Sequence, residues 1–227
     1  MSQKHHPTAI EREFELERVA LFSDAVFAIA ITLLIIDIKW PESEHGPVED
    51  PWKYMHPMIP GFVALVSSFF FIGRFWSLHL QLFRMVKQYN QSLIKRNLFF
   101  LFFIVTFPFT AAGIAGHIQN GFVLPLYLYF FNLAGVSAAH FLLCHYIFRK
   151  KTSLAVDGFA PEKKYYYMRS LYTTIALTAT LLVVVLCGLL FPGKTQIVTF
   201  SPLSVAVFMI IAKKKINKYK PAAIDEY

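Results

Sequence analysis

The sequence predicts an all-α membrane protein of six transmembrane helices, on three observations: composition, the length of the apolar runs, and the side on which the basic residues fall. Of 227 residues, 56% are hydrophobic, 16% are charged and 24 are phenylalanine, more apolar surface than the core of a soluble domain needs. A hydrocarbon layer of about 30 Å takes about 20 apolar helical residues to cross. Six windows meet or approach that length, at about 19–38, 60–82, 98–116, 122–147, 170–191 and 197–212.

The first window follows a polar, Glu-rich segment and runs into Asp37, Lys39 and Trp40 without a small-residue cleavage site. It therefore reads as a retained helix rather than a signal peptide. The second carries Arg74, Trp76 and His79 and ends near Arg84, and Asn97 stands at the entry to the third. His140, Cys144 and His145 lie in the fourth and Cys187 in the fifth, where a thiol is a small apolar residue rather than half of a disulfide framework. The sixth is the shortest, with Pro202 near its start. Only the acidic first loop, about 40–59, and a basic loop, about 149–169, are longer than ordinary connections, so residues 1–227 read as one membrane domain. The two halves of the chain share no repeated polar signature, which weighs against an inverted-repeat transporter.

Basic residues alternate with the loops. Three precede span one, four lie between spans two and three, six between spans four and five and five after span six, eighteen of the 22 in all. The positive-inside rule makes that side cytoplasmic, with both termini on it, and a plasma (inner) membrane the expected location. The net charge of +8 then belongs to headgroup contacts, with Lys213, Lys214, Lys215, Lys218 and Lys220 as a stop-transfer anchor rather than a nucleic-acid surface.

Ionisable groups inside a span are costly and direct attention to function. Asp24 lies about 9 Å in from the cytoplasmic end of span one. Arg74, Trp76 and His79 fall at a comparable depth on span two, so Arg18, Ser23, Asp24, Arg74, His79 and Asn97 are expected in one layer. Interhelical hydrogen bonding is the plain reading of that layer and proton relay the sharper one. At about 100° per residue, Phe22, Ala25, Leu33 and Ile36 fall within about 40° of Ile29, with Thr32 about 60° aside and Asp24 about 140° away. Lipid, another helix or a pore would each accept such a stripe. His140 and His145, five residues apart, do not share a face as metal ligands spaced by four would, and read as interhelical hydrogen-bonding groups. Gly-rich phosphate loops, a nucleophile elbow and paired catalytic carboxylates are missing from the sequence, and nothing in it argues for an enzyme or a cofactor. A carbonyl filter of the Thr-Val-Gly-Tyr-Gly type and the repeated arginines of a voltage sensor are missing too.

Arg18-Val-Ala-Leu-Phe22-Ser23-Asp24, continuing Ala-Val-Phe-Ala-Ile-Ala-Ile-Thr-Leu-Leu, closely resembles the RxxxFSD signature of the transmembrane-protein-175 family of potassium channels. Arg74-Phe75-Trp76 with His79 resembles the polar segment of that family's second helix. With a single six-helix repeat, the chain looks like a prokaryotic member. The resemblance implies a homotetrameric, potassium-selective leak channel lined by the first helix of each subunit. It assigns Ile29, Leu33 and Ile36 to a hydrophobic constriction, Thr32 to selectivity, and potassium to the pore near Ile29 and Thr32. Arg18, Phe22, Ser23, Asp24, Arg74, Trp76, His79 and Asn97 are then packing residues behind it. Asp37, about 40° from Leu33, could add an acidic ring at the outer mouth or simply meet the interface. Two rival readings are a proton-coupled transporter using Asp24 and His79, and a non-conducting membrane scaffold.

Overall fold

The computed structural model describes residues 9–36, 52, 55–117 and 122–221. Its long elements are helical: α1 Ala9–Leu33, α2 Ile59–Phe83, α3 Gln91–Val105, α4 Phe107–His117, α5 Leu124–His145, α6 Ala160–Leu190, α7 Thr195–Phe200 and α8 Ser204–Asn217. Among the described residues, five stretches are long and apolar enough to cross a bilayer: Ile59–Phe83, Gln91–Ile114, Leu124–Lys150, Ala160–Leu190 and Thr195–Asn217. At 25 residues, α1 is long enough, but its last eighteen include Glu17, Arg18 and Asp24, which set it apart from the other five. The described part of the first predicted span ends at Ile36, and Asp37 lies outside the described residues.

Several boundaries differ from the sequence expectation, each for a local reason. The third span starts at Gln91 rather than 98, because the Asn90 side chain accepts from the Leu93 amide at 2.8 Å and caps the helix there. At Thr106 and Pro108 that span divides into α3 and α4, since proline supplies no backbone donor. Pro202 similarly sits in a short 3₁₀ turn, Ser201–Leu203, between α7 and α8. The basic loop expected over 149–169 is half helix: α6 begins at Ala160, so Lys163, Lys164 and Arg169 are helical. Hydropathy finds only the apolar part of a helix, whereas backbone hydrogen bonding continues into the headgroup layer. The turn before α6 holds Gly158 and Phe159 at positive φ, 77° and 53°. An isolated bridge, Val86 to Ala155, ties this segment to the end of α2.

Lipid removes the usual hydrophobic drive between helices, leaving close packing and interhelical hydrogen bonds to hold the bundle. A Cβ on Gly135 would lie 2.4 Å from Phe103 Cε1, and one on Gly188 would lie 1.7 Å from the Tyr127 hydroxyl. Both glycines thus let an aromatic side chain reach the backbone of another helix. Phe27, Ile72, Phe75, Phe100, Ile104, Phe107 and Leu133 form the main core between α1 and α5. The extensive α5–α6 and α6–α8 contacts carry the second half of the chain.

Candidate pore-lining helix and its polar support

Two faces of α1 and of the turn that follows it, residues 34–36, have opposite fates. Ser23, Phe27, Ala30 and Leu34 recur at helical spacing and are buried against α2 and α3. Ile29, Leu33 and Ile36 are 58%, 41% and 67% exposed, and Phe22 and Thr32 are exposed with them. The Thr32 hydroxyl donates to the Ile29 carbonyl at 2.9 Å, so its oxygen lone pairs, not its proton, remain for another partner.

Behind this face lies a directional chain of hydrogen bonds. The Asn97 amide donates from Nδ2 to Ser23 Oγ at 2.9 Å, and the Ser23 hydroxyl donates onward to the Val19 carbonyl at 2.9 Å. Asn97 Oδ1 stands 2.9 Å from His79 Nε2; with the amide nitrogen already engaged, the imidazole must donate there. His79 is 1% exposed, stacked on Phe83 at 4.3 Å and on Phe100 at 5.6 Å. Each group makes the bond its chemistry allows, which is what burial of polar atoms in a membrane demands.

Asp24 belongs to a separate contact: it is half-buried and its Oδ1 accepts from the Trp76 indole at 2.9 Å. The layer expected to gather six residues is therefore split. Ser23, His79 and Asn97 form one group and Asp24 with Trp76 another. Arg18 is exposed beside a groove with Glu15, Phe22, Tyr89 and Leu98. Arg74 leaves the layer altogether and lines a groove with Arg169 and Lys213. Helix geometry explains this, because Arg74 and Trp76 are about 160° apart around α2.

In α5 the two histidines meet hydroxyls on α6: His140 Nδ1 with Ser170 Oγ at 2.9 Å and His145 Nδ1 with the Tyr167 hydroxyl at 3.2 Å. The described residues contain no group of three or more potential metal ligands of the His, Cys, Asp and Glu types. Sequence reasoning missed several polar contacts, among them Thr106 Oγ1 to Asn132 Oδ1 at 2.7 Å and Arg169 Nη2 to Gln81 Oε1 at 2.5 Å. Thr106 and Asn132 both interrupt apolar runs, which was the available signal.

Residues 18–108, holding the exposed face and its polar support, match the family model described as endosomal/lysosomal potassium channel TMEM175. Over that stretch the chain is similar to the TMEM175 family. A potassium channel of Streptomyces collinus is 40% identical over 106 residues, 47% of this chain and 50% of the relative. A rat TMEM175 described as an endosomal/lysosomal proton channel is 33% identical over 99 residues, 40% of this chain and 20% of the relative. The match thus spans about half the length of the bacterial relatives. The likeness in fold extends further than the sequence match: a Chamaesiphon minutus protein, described as a homologue of the lysosomal potassium-selective channel TMEM175, superposes with a TM-score of 0.63 at 20% identity, over 91% of this chain and 99% of that one.

Proposed function

We propose that this chain is one subunit of a potassium channel in which copies of α1, four in a homotetramer, surround the conducting path. The observation that carries the reading is the exposed Ile29–Leu33–Ile36 face on a helix whose opposite face is fixed by the Ser23–Asn97–His79 chain. A ring of Ile29 side chains would be narrow and dry, gating a hydrated cation by dewetting. Thr32, its proton committed to the Ile29 carbonyl, presents lone pairs to a potassium ion that has lost part of its water. The protein would work in the plasma (inner) membrane with both termini cytoplasmic, needing the bilayer, its own copies and permeant potassium but no cofactor. It would carry out transport rather than enzymatic chemistry.

The rat relative's description raises the proton as an alternative ion. Coupling through Asp24 and His79 would require a path between them. Instead the His79 chain ends on the Val19 carbonyl and Asp24 accepts from a non-titrating indole, an arrangement that favours the channel reading. Potassium flux into liposomes containing the purified protein, with sodium as competitor, tests it. Wild type should pass potassium preferentially and Ile29→Asn should leak both ions faster. No flux from either protein, both folded and oligomeric, would return the α1 stripe to a packing role.

A further inference from the structure

A groove of about 460 Å³ opens between α2, α6 and α8, on the side of α2 that the polar layer does not use. Its lining combines three cations, Arg74, Arg169 and Lys213, with apolar side chains such as Phe71, Leu177 and Ile210, and includes no acidic residue. The position of the cations along their helices is informative. Arg169 is the last charged residue before the uncharged stretch of α6, and Lys213 is the first after the uncharged stretch of α7 and α8. Both therefore mark the boundary between hydrocarbon and cytoplasmic headgroups. Arg74, nine residues before the end of α2, lies about 14 Å from that helix's cytoplasmic end.

Arg169 is built in rather than free to seek water. It is 9% exposed, held by Gln81 Oε1 and lying 5.6 Å and 5.1 Å from the rings of Tyr165 and Tyr166, yet its Nε has no hydrogen-bond partner. Arg74 makes no hydrogen bond or ion pair among the described residues. Three cations without a counter-charge at the edge of a hydrocarbon layer need an anion. The apolar wall running from them into the membrane requires that anion to carry a chain.

We propose that the groove binds an anionic phospholipid of the cytoplasmic leaflet, with its phosphate on Arg74, Arg169 and Lys213 and an acyl chain along Phe71, Leu177 and Ile210. Arg169 supplies directed donors, Arg74 and Lys213 add charge, and the lipid completes the polar contacts of the α2–α6–α8 seam. The site is separate from the α1 face and does not depend on which ion is conducted.

The test is native mass spectrometry of the purified full-length protein in detergent, titrated with phosphatidylglycerol or phosphatidylcholine. Wild type should retain phosphatidylglycerol about tenfold better, as removal of one to two interfacial charges would suggest. The double variant Arg74→Gln/Lys213→Gln should bring the ratio near one while its helical signal and oligomeric state stay unchanged. If that variant does not fold, Ile210→Trp, which fills the acyl slot without altering charge, should also lower retention. A tenfold molar excess of inorganic phosphate over lipid should leave the lipid bound. Equal retention of both lipids, an undiminished preference in the folded variants, or displacement of the lipid by inorganic phosphate would overturn the proposal, the last by making this a free-anion site.

Discussion

The Trp76 indole donates to Asp24 Oδ1 at 2.9 Å, tying α2 to the helix that presents Ile29. This bond orients α1 without reaching the His79 chain, so its removal should affect assembly before ion preference. Trp76→Phe should cost about 1–2 kcal/mol, whereas Asp24→Asn, which keeps an acceptor oxygen, should cost less. Thermal unfolding in detergent gives the first comparison and liposome flux the second. Retained potassium preference in folded Asp24→Asn is expected; a loss of all transport from that protein would favour the proton-coupled alternative.

Asn97 is the hinge of the buried chain, using Oδ1 for His79 and Nδ2 for Ser23. Asn97→Leu preserves approximate size but strands both partners, and should destabilise by about 2–4 kcal/mol. Ser23→Ala removes an acceptor at the far end and should cost roughly half as much. Denaturant midpoints of the two variants should fall in that order.

Thr32 offers its oxygen on the exposed side of α1. Thr32→Val, which keeps the branched shape and removes the oxygen, should reduce potassium preference over sodium about fivefold, equivalent to ~1 kcal/mol. Thr32→Ser should retain most of it. Reversal potentials under bi-ionic conditions measure this, and equal selectivity in Thr32→Val would remove Thr32 from the ion's path.

Gly135 packs beneath Phe103, leaving no room for a methyl group unless the ring moves. Gly135→Ala should therefore destabilise the bundle by about 1–3 kcal/mol. Recovery in Gly135→Ala/Phe103→Leu would confirm that the clash, and not helix propensity, sets the cost.

Beside the Val86–Ala155 bridge, Lys87 Nζ donates to Asp157 Oδ2 at 2.7 Å. The ammonium holds that carboxyl below its ordinary value of 3.8. A depressed carboxylate stabilises the folded state above its unfolded pKa, and that contribution disappears as pH falls through the lower folded value. The Val86–Ala155 bridge should consequently stay protected at neutral pH and loosen only below about pH 4. Hydrogen exchange at the Lys87 and Val156 amides, corrected for intrinsic rates, would show this, and Lys87→Met should abolish the pH step.

The sequence by itself determined the class and the placing of the apolar runs, because lipid imposes a minimum length that one chain must encode locally. It also determined which α1 residues share a face, since 3.6 residues per turn fixes that before any packing occurs. Its motif carried a resemblance to the TMEM175 family through a few residues of the first two helices. Only the tertiary structure decided which partner each polar side chain takes. Asp24 meets Trp76 rather than the His79 chain, Arg74 turns to Arg169 and Lys213, and Arg169 becomes part of a helix rather than a loop. Depth along a helix is a one-dimensional quantity that a sequence gives directly, whereas a hydrogen-bond partner depends on the rotation of two helices about their axes, which the packing of the whole bundle sets.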